Sequence, residues 1–511
     1  MFRPWRIWLL VICLLGASLR FHGLFANTFH ADEALFAGWA RLIAVWRDPL
    51  LLTQAVDKPP LLFYLQALFY PLFGPVEWAA RMPSLIASLL TIPLTAQLAR
   101  RLTGDLLVAV SAALLVAVAP LAVQFSATAF SDPLLTFWLL AALYGACRIE
   151  GQVANHVGGH PPLWTAFWVG LLFGLALATK YQALLFAPLL IGIVWLAGGD
   201  AKYYAHAATG FLAVVALLFL WQMARPMAGG PVALQWANIG GVRLVRSWEL
   251  LPRLADYARL WLMAMGRPMA VGAAIALGAG GLIHSRIENH ADSGRVANQG
   301  WVMNPSHRAA GIMLGLFVLG YLLLHWLWAV PVWDRYLLPV FPLVAILIAG
   351  CVSSLWRAAR RKRPLRMAMA ATLVVLSLAQ LPVALAARAG QLPIGGRPNA
   401  DGGAATTARL LKDAPYGTVL YDHWFSWQWH YQLFDGRVYV SWFPHTDALL
   451  ADLGVFAGQG PPRYIALPSS AVARPIIRRL SENGYRLEPL DAGIDAPDMN
   501  LYRIIPEDTD D

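Results

Sequence analysis

The sequence predicts an α-helical polytopic membrane protein with a small C-terminal extracytoplasmic α/β domain, and three observations carry that expectation. Of 511 residues, 58% are hydrophobic and 13% charged, too few polar side chains to clothe the soluble domains that this length would otherwise suggest. Apolar runs long enough to cross a bilayer recur from the N-terminus to residue 387. After residue 388, Gly, Pro and polar residues rise, and short β-rich runs alternate with helical ones.

The apolar runs lie at 7–24, 78–98, 106–123, 131–148, 163–179, 181–198, 207–224, 268–284, 310–329, 337–355 and 367–387, which predicts about eleven transmembrane helices. The first has the charge-then-apolar form of a signal peptide, but no small-x-small cleavage pattern precedes Arg20, so it is read as an uncleaved span. Lys180 divides two runs that also suit a re-entrant pair. If Arg3 and Arg6 are cytoplasmic, then Arg100, Arg101, Lys202 and the basic residues of 286–308 and 357–366 fall on the same side. The loop 22–77 and the C-terminus are then outside. The net charge of +10 is thus read as topology and not as a nucleic-acid surface. The 357–366 run is most simply an orientation signal, with a lipid-headgroup site as the alternative.

This divides the chain into a transmembrane domain, 1–388, and an α/β domain, 389–511. The latter has expected strands at 418–422, 437–442, 463–467, 485–490 and 501–505 and helices at 446–457 and 471–483. Cys13, Cys147 and Cys351 each lie in or at the end of an apolar run, which supports neither a disulfide framework nor a cysteine metal site. His423, His430 and His445 match no strong ligand spacing, so no essential metal or other cofactor is expected.

The loop 22–77 holds the most informative residues. Asp32 and Glu33 open a stretch whose apolar positions Leu35, Phe36, Trp39, Leu42, Ile43 and Trp46 line one helical face, as in a helix lying in the membrane interface. The two acids suit a helix cap; a carboxylate on a rigid helix start also suits a general base acting on a lipid-borne substrate. Further on, Asp57-Lys58-Pro59-Pro60 leads into an apolar stretch ending at Phe73-Gly74, too short to span a bilayer and read as a second interfacial helix. Lys58 before its start suits either a bound phosphate or snorkelling to headgroups.

Asp-Glu opening an interfacial helix, acid-Lys-Pro-Pro-Leu about 25 residues on, then Phe73-Gly74, Ala79-Ala80-Arg81-Met82-Pro83-Ser84, Phe130-Ser131-Asp132-Pro133-Leu134, Gly174 to Lys180 and Asp334-Arg335-Tyr336-Leu337-Leu338-Pro339 resemble, in that order, the polyprenyl-phosphate-dependent C-superfamily membrane glycosyltransferases. The likeness is to the protein O-mannosyltransferase-like group, which includes the lipid A aminoarabinose transferases, and it spans residues 7–355. It implies sugar transfer from a lipid phosphate at the outer membrane face, with Asp32 matching the catalytic aspartate and Lys58 the donor-phosphate lysine. Leu35 stands where the aminoarabinose transferases usually carry Arg, and Asp57 where they carry Glu, so neither sugar nor acceptor is carried over.

The chemistry follows from the leaving group. A departing lipid phosphate is a stable anion that needs no strong general acid, so the protein must supply a base and an anion clamp. Asp32 is expected to deprotonate the acceptor hydroxyl, and Lys58 with Arg335 and Tyr336 to hold the phosphate. One displacement predicts inversion. Glu33 and Asp132 are read as structural or positioning residues, with an N-cap as the plainer account of Asp132. Asp334 is an alternative partner for Arg335; Asp57, Arg81 and Lys180 are weaker candidates, and the two cations among them suit a headgroup or a local acid equally.

The loop 225–267, with Gln235, Trp236, Asn238, Arg243, Arg246, Trp248, Glu249 and Asp256, suits sugar binding or an interfacial aromatic belt. The aromatic run Tyr421–Tyr431 is read first as an interfacial docking face and second as an acceptor contact. The expected partners are a polyprenyl-phosphate sugar, a lipid or glycan acceptor and membrane lipid, without nucleic acid. The expected place is the bacterial inner membrane, since no retention signal is present and the outer domain lacks cysteine. A transporter or flippase of lipid-linked sugars and a non-catalytic lipid-glycan binder are the competing classes.

Overall fold

The computed structural model describes residues 4–155, 163–225, 234, 243–278, 305–359, 362–393, 395–456, 460–490 and 499–507. Two compact units result: Met1–Ala26 with Leu42–Gly396, and Asn27–Arg41 with Arg397–Asp511. Gln235, Trp236 and Asn238, and most of the basic loop 286–308, lie outside the described residues.

The first unit is helical. Its elements are α1 (Pro4–Ala26), the end of α2 (Ala31–Ala44), α3 (Leu61–Ala67), α4 (Tyr70–Phe73), α5 (Glu77–Thr103), α6 (Leu106–Val118), α7 (Pro120–Ser126), α8 (Asp132–Asn155), α9 (Trp164–Thr179) and α10 (Ala187–Leu196). They continue with α11 (Ala201–Met223), α12 (Ser247–Met265), α13 (Arg267–Gly278), α14 (Pro305–Leu327), α15 (Phe341–Ala358) and α16 (Arg363–Arg388). A proline occupies the first or second position of α4, α7, α10, α15 and α16, where a missing N–H leaves no bond unmade.

Among the described residues six helices are long and apolar enough to cross a membrane, and eight spans result if each of two bent pairs is one. The chain is therefore a multi-pass membrane protein. The runs expected at 163–179 and 181–198 fold as the shorter helices α9 and α10, separated by Lys180 and a 3-10 turn, Tyr181–Phe186. The single interfacial helix expected after Pro60 is two pieces, α3 and α4, interrupted at Leu68-Phe69 ahead of Pro71.

Close approach and helix breaks hold this unit together. A Cβ on Gly170 would stand 1.7 Å from the Ala207 carbonyl oxygen, and one on Gly210 2.1 Å from that of Phe167, so α9 and α11 meet backbone to backbone. The bent pairs are α6 with α7, at 56°, and α12 with α13, at 107°. At the first bend the buried Arg20 of α1 donates to Ala117 O (2.8 Å), Val116 O (3.0 Å), Gly16 O (3.0 Å) and Ser88 Oγ (3.0 Å). Gln380 of α16 donates to Met265 O at the second (2.9 Å). These side chains replace donors that the interrupted helices no longer supply.

The second unit is built on a five-stranded mixed sheet of order β2-β1-β3-β5-β4, comprising β1 (Thr418–Asp422), β2 (Val438–Trp442), β3 (Arg463–Pro468), β4 (Tyr485–Pro489) and β5 (Met499–Pro506). β1 runs parallel to β2 and β3, and β5 antiparallel to β3 and β4. Alternation places Leu420, Ala466 and Leu501 in one core with Trp429, and Tyr421, Ile465, Leu467 and Ile504 in the other with Leu449 and Leu480. The helices are α17 (Ala404–Thr407), α18 (Ser426–Gln432), α19 (Thr446–Phe456) and α20 (Arg474–Ser481).

All five strands lie where β-rich runs predict them, whereas α18 does not figure among the expected helices, because its aromatic density masks a helical period. Asp422, at the end of β1, accepts from Phe425 N (2.8 Å), Ser426 Oγ (3.0 Å) and Trp429 Nε1 (3.2 Å) and so fixes the start of α18. Burial pushes its carboxyl above the usual carboxylate range, and these donors pull it back.

Replacing Arg20 by Met should lower thermal stability in detergent, by about 1–3 kcal/mol for each carbonyl left without a donor. The midpoint of unfolding, followed by circular dichroism, checks this; an unchanged midpoint contradicts it.

Candidate functional site

Asp32 and Glu33 lie in the second unit, in the first turn of α2. Glu33 is fully buried, and its Oε2 accepts from His30 N (3.0 Å), the reciprocal bond of a capping box. Asp32 N donates to His30 Nδ1 (3.2 Å), so the helix start is held by His30 and Glu33 while the Asp32 side chain stays partly exposed. The capping work expected of the two acids thus falls on Glu33.

The remaining candidates lie in the first unit, where the ends of several helices bring most of them together. Asp132, the first residue of α8, is 1% exposed and binds Lys180 Nζ at 2.6 Å. The two residues are separated by 48 positions. Lys180 has an extended backbone (φ −161°, ψ 136°) that ends α9, which places it in the break between two apolar helices. Its ammonium stands 4.7 Å from the Tyr336 ring centroid, and Arg335 and Lys58 are both close enough to repel its charge.

Arg335 belongs to the 3-10 turn Asp334–Leu337 and lies over Trp333 (4.7 Å) and Phe130 (5.0 Å). The Asp334 carboxylate, an alternative partner for Arg335 in the sequence, accepts instead from the backbone N–H of Arg335 (2.7 Å) and of Gly395 (2.9 Å). Lys58 pairs with the neighbouring Asp57, which is mostly buried. Lys58 precedes Pro59, whose ring disfavours a helical backbone at Lys58, and lies ahead of α3. Arg81 is fully buried on α5.

Three residues beyond the sequence reading complete this cluster. Tyr321 donates its hydroxyl to Tyr336 O (2.6 Å), Gln182 contacts both that hydroxyl and Tyr336 O (3.4 Å), and His325 stacks on Tyr321 at 4.1 Å. Their signal in the sequence is a Tyr and a His four residues apart within an apolar run, which puts both on one helix face. Among the described residues no three His, Cys, Asp or Glu converge as a metal site.

Lys180, set against the Tyr336 ring and paired to Asp132, thus lies within electrostatic reach of Arg335 and of Lys58, which is paired to Asp57. Such a site favours an anion.

The resemblance to the C-superfamily membrane glycosyltransferases carried by the motifs is borne out by the similarity of this chain to known proteins. The family model Dolichyl-phosphate-mannose-protein mannosyltransferase matches residues 57–221, which take in Lys58, Asp132 and Lys180. A relative from Pseudomonas aeruginosa, an undecaprenyl phosphate-alpha-4-amino-4-deoxy-L-arabinose arabinosyl transferase, is 29% identical over 213 residues; the match covers 40% of this chain and 37% of that relative. Among solved structures, ArnT from Cupriavidus metallidurans bound to undecaprenyl phosphate is similar at a TM-score of 0.60 and 14% identity, over 98% of this chain and 97% of that one. The archaeal oligosaccharyltransferase AglB from Archaeoglobus fulgidus, in complex with an inhibitory peptide and a dolichol-phosphate, is similar at 0.57 and 13%, over 99% of this chain and 74% of that one.

Lys180→Met alone should destabilise the protein by about 3–5 kcal/mol, because it leaves the Asp132 carboxylate buried without its cation. Adding Asp132→Asn should restore most of that loss. A double-mutant cycle on unfolding midpoints in detergent measures the coupling, and additive effects would refute it.

Proposed function

We propose that this protein is an inverting glycosyltransferase that moves a sugar from a polyprenyl-phosphate donor to a lipid or glycan acceptor at the outer face of the inner membrane. The observation that carries the reading is the buried Asp132–Lys180 pair against the Tyr336 ring at the ends of apolar helices, with Arg335 and Lys58 within electrostatic reach of the lysine. A lipid phosphate presents a charged head just where its apolar tail ends, which suits cations held at such helix ends. The donor class is that named for the aminoarabinose transferase relatives.

In this reading Asp32 accepts the proton of the acceptor hydroxyl as its oxygen bonds to the anomeric carbon. The bond from that carbon to the phosphate oxygen breaks, and its electron pair leaves with the lipid phosphate. Lys58 and Arg335 stabilise the charge growing on that oxygen, and Lys180, paired to Asp132, keeps Tyr336 in place by a cation–π contact. Glu33 holds the helix start. A single displacement inverts the anomeric centre.

The transporter reading draws on the two bent helix pairs, since broken helices line transport sites. Those bends are filled by Arg20 and Gln380, which donate to the backbone carbonyls there. That favours transfer chemistry over transport.

Purified protein in detergent, given a panel of radiolabelled polyprenyl-phosphate sugars and an envelope extract as acceptor, should release one sugar. Asp32→Asn should lower turnover by about 10²–10⁴-fold while leaving the fold intact. Lys58→Ala should weaken use of the donor. Absence of turnover of every donor by folded wild-type protein would count against the reading, and equal turnover by Asp32→Asn would remove Asp32 from it.

A further inference from the structure

The segment Asn27–Arg41, which carries Asp32, is built into the unit formed by the C-terminal residues, and one short helix of that unit holds both of its ends. At the first end, the Gln428 side chain of α18 accepts from Ala31 N (3.2 Å) and donates to Phe425 O (3.2 Å), in the amide orientation that satisfies both groups. Ala31 N–H belongs to the first turn of α2, where no helix carbonyl is available, and the residue after it is Asp32. Phe29 packs edge-on against Tyr431 of α18, with ring centroids 4.9 Å apart. The Thr28 hydroxyl accepts from Asp401 N (3.3 Å). At the other end, Arg41 donates to Tyr431 O (2.9 Å), lies 4.1 Å over the Phe434 ring and pairs with Asp435 at 3.5 Å.

α18 is itself fixed. Asp422 ties its first turn to the end of β1, and Trp429, 0% exposed, anchors it in one of the two cores. Gln428 is 3% and Tyr431 3% exposed, so neither has room to swing away from α2. The path from sheet to base is then continuous: β1, Asp422, α18, Gln428, Ala31, Asp32.

We infer that Gln428, with Tyr431 and Arg41, is a positioning device through which the C-terminal α/β unit sets the direction of the Asp32 carboxylate for the transfer step. The inference rests on the proposed role of Asp32 as base. Gln428 touches neither donor nor acceptor; it acts through the backbone N–H next to the base. Losing that bond frees the first turn of α2 without removing a group that binds the donor, so the effect falls on kcat and not on donor KM. An orientation error of an ångström at a reacting group is worth about a hundredfold in rate, which sets the scale of the effect.

The test compares full-length wild type, Gln428→Leu and Gln428→Glu in detergent, by donor kinetics and by hydrogen exchange of peptides covering residues 28–36. Gln428→Leu should lower kcat by about ten- to a hundredfold with donor KM within about twofold, and should speed exchange at the start of α2. Gln428→Glu keeps an acceptor for Ala31 N and should recover most of kcat, which a purely structural role in α18 would not produce, since the donor to Phe425 O is lost in both variants. Arg41→Ala should loosen the same peptides, and Arg41→Lys should loosen them less.

Unchanged exchange at residues 28–36 in Gln428→Leu overturns the hold on the segment, whatever the kinetics. Faster exchange with unchanged kcat overturns the link from that hold to catalysis, and so does a loss confined to KM. A wild type that turns over no donor defeats the transferase reading and with it the catalytic consequence; the exchange data then still decide whether α18 holds the segment.

Discussion

Inside a bilayer a carbonyl released from a helix finds no water, so each interruption of the helical unit must be answered by a donor from the protein itself. Arg20 answers at the end of α6 and Gln380 at the end of α12. The rest of the site depends on those interruptions. Each helix end that the unit tolerates is also a place where polar side chains can gather. α7 and the turn after it deliver Phe130 and Asp132, the end of α9 delivers Lys180, and the short segment between α14 and α15 delivers Arg335 and Tyr336. A bundle of uninterrupted spans would have carried the same residues apart.

Charge in such a place is expensive to bury and potent once buried. The Asp132–Lys180 pair adds little net stability relative to an apolar pair of the same shape, yet it fixes a lysine under the Tyr336 ring. Tyr321 and Gln182 hold the backbone carbonyl of the same tyrosine, so its ring and main chain are secured independently. Arg335, spread over two aromatic faces, keeps its guanidinium plane oriented, and its neighbour Asp334 is engaged by backbone N–H groups. The cluster is thereby ordered before any ligand arrives, which is what electrostatic stabilisation of a developing anion requires.

The segment Asn27–Arg41 adds a constraint of a different kind. Its bond from Arg41 to Tyr431 joins residues 390 positions apart. A helix start bearing the proposed base therefore reaches its final environment only after the last part of the chain has been made and the sheet has formed. Contacts of such range are slow to form because the intervening loop must close first.

Much of this was legible in residue order. Apolar runs located most helices of the first unit because lipid demands length and apolarity from each one, but α12 lies in the stretch 225–267 read as a loop. Alternation and β-branched or aromatic residues located all five strands, and Asp-Glu, Asp-Lys-Pro-Pro and Asp-Arg-Tyr marked polar positions at helix ends. These are local properties, carried by neighbours along the chain. Local pattern did not reveal α18, whose aromatic residues obscure its period, nor the break of the second interfacial helix into α3 and α4. The partnership of Asp132 with Lys180, the engagement of Asp334 by the backbone N–H of Gly395, the support of Tyr336 by Tyr321, and the passage of residues 27–41 into the C-terminal unit were decided by tertiary structure alone. Each depends on which side chains meet across helices or across hundreds of residues, and that is set by packing and by the requirement that every buried polar group find a partner, neither of which a single stretch of sequence contains.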